Sequence, residues 1–397
     1  MLSLFLGAAA CTVIQAPPPG PTPATDDASA PSPASPTASA LPTQPGSPLD
    51  FKPSNFDLSG IDVSKLGDVV ISTDCRLSGT EGRLFCSATT GSFGYKLVEQ
   101  PGGGKLGVFV AKSIRLEPNA AIKVGGETAI AIVAIDSFDI RGTIDASVST
   151  SQPSPGGHSG ALDDSTSPSN GRGPGAGLAG STTSGGGGAA FCGTGGLGGT
   201  NNGGPGVAGG KPYGSQDLVP LVGGSSGGSG GLDSGGGGGA IQLVAGKKLI
   251  VATSGSVGAN GGGGWTSGVV SNQPGAGGGS GGAILLESKV VEMAGTLAAN
   301  GGAGGGNNSN FQERTGRDGK IGSSPATCDY TSEGSAGGEG AAGASTNGGE
   351  GIGATRYPGT GGGGGAGRIR INADTVEVTG VMSPEMGACA AKGSLKK

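Results

Sequence analysis

Histidine, aromatic and charged residues are scarce in this sequence. Its 397 residues contain one histidine, 4% are aromatic and 13% are charged. A Ser-His-Asp triad could be assembled from His158, Asp163 and Asp164 with a nearby serine, but no motif holds these residues in a catalytic geometry. The formal net charge of −5 argues against a nucleic-acid-binding surface, which would be basic. We therefore expect His158 to be a solvated loop residue, and we predict no catalytic residue.

Long apolar runs are also lacking, and no segment after residue 10 approaches the roughly 18 apolar residues of a membrane span. The first ten residues, MLSLFLGAAA, form a short apolar stretch that ends in small residues before Cys11. This pattern predicts a signal peptide (1–10) and a lipid on Cys11, although Lys and Arg are absent and Ala8 stands where Leu is usual. Thr12 favours sorting to the outer membrane. The alternative is a plain secretory signal.

Two regions of different composition follow Cys11. Residues 11–49 are rich in Pro, Ala, Ser and Thr, so they cannot bury a core and are predicted to form a semi-extended tether. Residues 50–105 contain more bulky side chains and are predicted to form an N-terminal cap. Within this cap, Cys75 and Cys86 bracket a polar loop, which in an exported protein suggests a local disulfide.

Three further cysteines lie outside the predicted cap and the lipid attachment site. Cys192 and Cys328 fall in two different glycine-rich insertions and are candidates for a second disulfide. Cys389 would then be the odd thiol, although spacing alone does not decide the pairing.

Glycine is abundant, with 92 residues, and it frames a repeat. Short apolar runs recur in the segments 107–126, 127–147, 238–262, 278–302 and 365–384. Their apolar residues alternate with a period of two, which indicates strands with one buried face. The alternating core positions of the first strands are Ile130, Ile132, Ile241, Leu243, Ile284, Leu286, Ile369 and Ile371. A glycine separates the second and third strands in four copies, at Gly142, Gly255, Gly295 and Gly380.

A single repeat of about 20 residues cannot bury its apolar stripe alone, so the copies are expected to stack on one another. The prediction is an all-β chain, with a β-solenoid or parallel β-helix-like stack of about five rungs in residues 106–385 and a tail at 386–397. A β-sandwich is the alternative, because it uses the same alternating strands. Leu249 and Val251 lie two residues further from Gly255 than the repeat predicts, which suggests a bulge.

Long insertions rich in glycine separate the repeats. They are either mobile loops or extended polyglycine helices that pack side by side through backbone hydrogen bonds. The runs GGGGGAIQL and GGGSGGAIL resemble dinucleotide-binding loops, but a strand follows them where such a loop needs a helix. The single segment GGLDSGGGG is a poor match to a calcium-binding repeat. No cofactor and no metal are predicted.

Several motifs follow one another in an order that spans essentially the whole chain. They are the start before Cys11, the Pro/Ala/Ser tether, PSNFDLSG with its paired cysteines, DIRGTIDAS, LVPLVGG, and the GGAI and GGGGGAGRIRIN blocks. Together they resemble the glycine-rich lipoproteins common in myxobacterial genomes. Each motif is of low complexity, so their order is more specific than any one of them. The resemblance implies export and a glycine-rich repeat fold, and it supplies no catalytic residues.

These observations predict a non-catalytic exported surface lipoprotein with a structural, display or adhesive role. Its expected partners are the membrane, through the lipid anchor, and a cell-surface polysaccharide. One alternative is a β-helix carbohydrate-active enzyme, which needs a cleft with two carboxylates within about 10 Å. The other is a polyglycine-helix binder of glycan or ice. Charges on the strands, including Glu287, Glu292, Arg368 and Arg370, are expected to lie on solvated faces.

Overall fold

The chain is all-β. A computed structural model describes residues 39–40, 46–59, 61–148, 151, 154–162, 168–201, 206–265, 273–307, 315–329, 336–353 and 358–397, all within the unit Ser35–Lys397. The predicted signal peptide, Cys11 and most of the tether therefore lie outside the described residues. The helical structure of the described residues is one 3-10 turn, Val63–Lys65. None of the described helical structure is long and apolar enough to span a membrane.

Nineteen strands form in the described residues. They are β1 (Ser39–Ala40), β2 (Asp68–Ile71), β3 (Cys75–Ser78), β4 (Arg83–Cys86), β5 (Thr89–Thr90), β6 (Gly94–Glu99), β7 (Lys105–Ala111), β8 (Ser113–Leu116), β9 (Ala121–Gly125), β10 (Ala129–Ala134), β11 (Ser137–Ile140), β12 (Thr143–Asp145), β13 (Ala240–Val251), β14 (Ser256–Gly258), β15 (Ala283–Met293), β16 (Thr296–Ala298), β17 (Arg368–Val378), β18 (Val381–Ser383) and β19 (Ala390–Gly393).

The strands form two mixed sheets. The larger has twelve strands in the order β1-β6-β7-β10-β13-β11-β8-β2-β5, with β15, β17 and β19 continuing from β13. The smaller has seven, in the order β18-β16-β14-β12-β9-β3-β4. Most neighbours are parallel, and the antiparallel pairs are β2 with β5, β3 with β4 and β6 with β7. Parallel neighbours need long connections between them, and the glycine-rich insertions supply several of these.

The alternating residues of the repeats align in the larger sheet. Ile241 lies opposite Ile130 in β10 and Ile284 in β15, and Ile284 lies opposite Ile369 in β17. The second core position follows the same register, through Ile132, Leu243, Leu286 and Ile371. All eight side chains are at most 2% exposed. The period of two therefore identified a buried row that continues across four strands.

The four repeat glycines occupy the turns between the larger and the smaller sheet, at Gly142, Gly255, Gly295 and Gly380. A Cβ at Gly380 would meet the carbonyl oxygen of Gly295, and one at Gly295 would meet that of Gly255. Successive turns are therefore too close for a side chain. The irregularity predicted before Gly255 has two parts. The two extra residues lie in the turn after Val251, and a separate register shift separates Ala245 from Lys248.

Apolar side chains form two buried clusters. The larger cluster joins residues of both sheets, such as Phe109, Phe138 and Ile144. The second covers the other face of the larger sheet, where Phe51 and Phe56 pack against apolar residues of β7, β10, β13 and β15. Strands buried on both faces read as continuous apolar runs, as AIAIVA does in β10. The segment after the tether is therefore part of the folded core.

Candidate functional site: a glycine lattice and a polar groove

The glycine-rich insertions are joined to one another by backbone hydrogen bonds. The glycine lattice consists of the segments 171–180, 185–199, 206–210, 223–230, 234–239, 259–265, 275–282, 299–306, 336–341, 346–351 and 359–367. In segment 275–282, the N–H groups donate in turn to three neighbours at 2.8–3.3 Å. The bonds run from Gly275 to Gly359, Ala276 to Trp265, Gly277 to Gly228, Gly278 to Gly362, Gly279 to Gly262 and Ser280 to Ser225. Every third residue returns to the same neighbour, and three is the period of a polyproline II helix.

The carbonyl groups of segment 275–282 accept from three other neighbours. Gly186, Gly305, Gly235, Ala189, Gly302 and Gly238 donate in order to the carbonyls of residues 275–280, at 2.8–3.0 Å. This segment therefore has six hydrogen-bonded neighbours. Segment 359–367 shows the same rotation, because Gly361, Gly362 and Gly363 donate to three different segments and Gly364 returns to the first. Backbone bonds hold the lattice where side-chain contacts are few.

The lattice requires glycine because its segments approach closely. A Cβ built on Gly279 or Gly364 would lie closer than 3.0 Å to a backbone carbonyl oxygen of a neighbouring segment. Backbone atoms cannot rotate out of the way as a side chain can. None of the residues in segments 275–282 and 359–367 has a positive φ. These positions therefore require glycine because the segments approach closely, and not because the backbone is left-handed.

Glu287 is buried, so the expectation of a solvated side chain is wrong for this residue. Its carboxyl group accepts hydrogen bonds from Ser54 N at 3.0 Å, Ser54 Oγ at 2.6 Å, Gln242 Nε2 at 2.5 Å and Asn372 Nδ2 at 3.1 Å. Asn55 extends this cluster by donating to Gln242 Oε1 at 3.1 Å. The segment after the tether covers Glu287, and strand alternation alone does not reveal this cover.

Two disulfides form among the described residues. Cys75 is bonded to Cys86, as expected for the cap, with the Cα atoms 4.4 Å apart. The second candidate pair is wrong, because Cys192 is bonded to Cys389 across a Cα distance of 5.6 Å. Both partners lie beside the start of β17, where Cys192 N donates to Ala366 O. Cys328 is buried and belongs to neither disulfide.

His158 is part of the glycine-rich region and is only partly exposed, so the expectation of a solvated loop histidine is wrong. Its N–H donates to Gly224 O at 3.1 Å, and its carbonyl accepts from Gly237 N at 2.8 Å. Burial lowers the pKa of its imidazole. The two aspartates considered for a triad, Asp163 and Asp164, lie outside the described residues.

Arg368 also departs from the solvated face expected for it. Its guanidinium lies 5.5 Å from the centre of the Phe191 ring and donates to Tyr213 O at 2.9 Å. Burial lowers the pKa of Arg368 and raises the pKa of the Tyr213 phenol. Arg368 therefore fastens the loop before β13 to the start of β17.

Other strand charges take part in exposed or partly exposed ion pairs. Glu292 accepts from Lys248 at 2.8 Å, and Arg370 lies 3.1 Å from Asp217. Exposed pairs of this kind contribute little to stability. Glu292 therefore lies on a solvated face as expected, whereas the side chain of Arg370 is only 16% exposed.

A groove lined by charged side chains, called the polar groove, runs along the smaller sheet to the starts of β7 and β10. It consists of three clefts of about 320, 540 and 400 Å³. The first two share Glu127, and the last two share Lys123, Ser147 and Val148, so the clefts are adjacent. The middle cleft also contains Arg76.

Three strands place charged side chains along this groove. Arg76 of β3 lies opposite Lys123 of β9, and Lys123 lies opposite Asp145 of β12. Lys123 donates to Asp145 at 2.7 Å. Arg76 makes no ion pair with any described residue, and its guanidinium lies over Gly125. No motif in the sequence marks these residues as a site, because they lie in different repeats and in the cap.

Among the described residues, no group of three or more His, Cys, Asp or Glu side chains is placed to hold a metal ion. Comparison with protein-family models, curated proteins and solved structures gives no match to this chain. Functional inference therefore depends on the lattice, the groove and the sequence.

Proposed function

We propose that this chain is a non-catalytic exported surface lipoprotein, with a structural, display or adhesive role. The proposal rests on the packing of segment 275–282, which has six hydrogen-bonded neighbours. A body built from such segments presents a stiff surface with few side chains. Two disulfides are compatible with an extracytoplasmic compartment. The Pro/Ala/Ser tether would hold this body away from a lipid on Cys11.

The fold proposed for this body is a β-solenoid with polyglycine-helix insertions. Support comes from the parallel register of β10, β13, β15 and β17, which repeats again in β12, β14, β16 and β18 of the smaller sheet. After β12, β14 and β16, the chain leaves the smaller sheet through an insertion and returns to the larger sheet one strand further along, in β13, β15 and β17. The three-residue rotation of hydrogen bonds supports polyglycine helices in the insertions.

Protease treatment of intact cells tests the proposed location and architecture. We expect proteinase K to cut within the tether, residues 11–49, and to release a resistant body that begins near Leu49. The Cys11→Ala protein should lose globomycin-sensitive processing and membrane attachment, while its body stays resistant. Normal maturation of the Cys11→Ala protein would refute the lipid anchor. Degradation of the released body to small peptides would refute the stiff display surface.

A carbohydrate-active enzyme is the second candidate, because carboxylates occur in the groove. Glu81 and Glu127 both line the middle cleft, and glycoside hydrolysis uses a pair of carboxylates. This candidate predicts new reducing ends when the protein is incubated with a polysaccharide. Glu81→Gln and Glu127→Gln should each abolish that activity, whereas Glu377→Gln, an exposed carboxylate on β17, should not. Equal activity in all three variants would exclude this role for the pair.

A further inference from the structure

We propose that the polar groove binds a neutral linear polysaccharide. This inference deepens the proposed surface function and rests on it. The first argument is size. Each of the three clefts, at about 320, 540 and 400 Å³, has the volume of a small-molecule site. Because neighbouring clefts share lining residues, the row of three fits a chain of similar units better than a single compact molecule.

The second argument is charge. The first cleft contains Lys105 and Glu127, one cation and one carboxylate. The other two each contain two cations and two carboxylates, namely Arg76, Lys123, Glu81 and Glu127 in the middle cleft, and Lys123, Lys320, Asp145 and Asp318 in the last. A polyanion would meet a carboxylate in every cleft, and a polycation would meet a cation. A neutral chain of hydroxyl groups avoids both conflicts, since hydroxyls donate to carboxylates and accept from cations.

The third argument is rigidity. Arg76, Lys123 and Asp145 lie opposite one another on three hydrogen-bonded strands, so their backbones are fixed at the spacing of a sheet. Ser154, which also lines the middle cleft, is 2% exposed and donates to Gly237 O of the glycine lattice. A binding surface built on rigid elements keeps its backbone geometry when a ligand binds. The backbone of the groove is therefore fixed, whereas the exposed side chains of Arg76 and Lys123 can adjust to a ligand.

Gly125 allows the groove to be blocked without disturbing the backbone. A Cβ at this position would lie 3.4 Å from Arg76 Nε, which is ordinary contact with a flexible side chain. Gly125→Leu should therefore fill the middle cleft and displace the guanidinium. Gly67→Leu is the matched control, because a Cβ at Gly67 has no neighbour within 4 Å and Gly67 does not line the groove.

Affinity electrophoresis of the full chain tests the proposal. The probes are three neutral polymers, dextran, galactomannan and mixed-linkage β-glucan, together with anionic polygalacturonate and cationic chitosan. We expect retardation by at least one neutral polymer and little change in it with added salt. Gly125→Leu and Arg76→Gln should each weaken this binding by about tenfold or more, corresponding to about 1.4 kcal/mol. Gly67→Leu should bind as the wild type does.

Three outcomes would overturn the proposal. They are no retardation by any of the neutral polymers, retardation by charged polymers only, or unchanged binding to a neutral polymer in a Gly125→Leu protein that melts at the wild-type temperature. If Gly125→Leu does not fold, the test depends on Arg76→Gln alone. The Arg76 side chain is exposed, so this substitution should not disturb folding. Loss of polysaccharide binding leaves the cell-surface protease result unaffected, so failure of this inference is distinguishable from failure of the proposed location.

Discussion

Segment 275–282 lies among six hydrogen-bonded neighbours, so one methyl group at its centre should disturb the glycine lattice. We consider the substitution Gly279→Ala. The added Cβ would lie closer than 3.0 Å to the carbonyl oxygens of Gly235 and Gly236. These are backbone atoms of segment 234–239, so the two segments must move apart. The substitution is expected to destabilise the folded state rather than to be absorbed by a side-chain rotation.

The expected cost follows from the contacts between the two segments. Overpacking of a close-packed interior costs about 1–3 kcal/mol. Two hydrogen bonds join the segments, from Gly235 N to Gly277 O at 3.0 Å and from Gly238 N to Ser280 O at 2.9 Å. If separation breaks both bonds, at about 1 kcal/mol each, the free energy of unfolding should fall by about 3–5 kcal/mol.

Urea unfolding followed by circular dichroism measures this loss as a shift of the midpoint. Gly67→Ala is the matched control, because a Cβ at Gly67 has no neighbour within 4 Å. We expect this control to change the unfolding free energy by less than about 0.5 kcal/mol or to stabilise the protein slightly. Equal midpoints for Gly279→Ala, Gly67→Ala and the wild type would refute the close packing of the lattice.

Three further predictions concern the parts that hold the lattice and the sheets together. Ser54→Ala removes the hydroxyl that donates to the buried Glu287, so the unfolding free energy should fall by about 1–3 kcal/mol in urea titrations. The disulfide Cys192–Cys389 closes a long loop, and its replacement by two serines should cost up to about 5 kcal/mol by loop entropy, again measured in urea. Burial holds the pKa of His158 below its ordinary 6.5, so the unfolded chain binds the proton first as pH falls. The wild type should therefore lose stability below about pH 6.5, and His158→Gln should lose less, as measured by thermal melts across pH.

Each of these predictions has its own control. Ser59→Ala removes an exposed hydroxyl that donates to Asp57, and a loss as large as that of Ser54→Ala would contradict the buried cluster. Peptide mapping without reduction should find Cys192 linked to Cys389, and a link from Cys192 to Cys328 would contradict the connectivity. An imidazole titration above pH 6.5 in the folded protein would contradict the burial of His158.

The strands were the predictable part of this fold, because side-chain alternation marks them directly. The alternation of Ile241 with Leu243 and of Ile284 with Leu286 placed these residues in strands with a buried face. In the structure Ile241 and Ile284 lie opposite each other. The neighbours of each glycine segment could not be predicted in this way. A run of glycines has no side chains to distinguish one packing partner from another, so its sequence carries almost no pairing information.

The cover over Glu287 and the residues of the polar groove could not be predicted from the sequence either. Alternation correctly places Glu287 on the face opposite Ile284, but the cover over that face comes from Ser54, more than two hundred residues earlier. Leu285 lies on the same face as Glu287 and is apolar. An apolar residue on the outward face indicates a strand covered on both faces, and Leu285 is indeed buried. The groove residues Arg76 and Lys123 come together only through the parallel register of β3 and β9.

The central claim is that the glycine insertions form an ordered, hydrogen-bonded lattice on the strands. Native-state hydrogen exchange measured by mass spectrometry tests it most directly. Amides of segment 275–282 should exchange as slowly as those of β13 and β15, because each donates to a carbonyl oxygen of a neighbouring segment. Exchange of this segment within seconds, while the strands stay protected, would contradict the account.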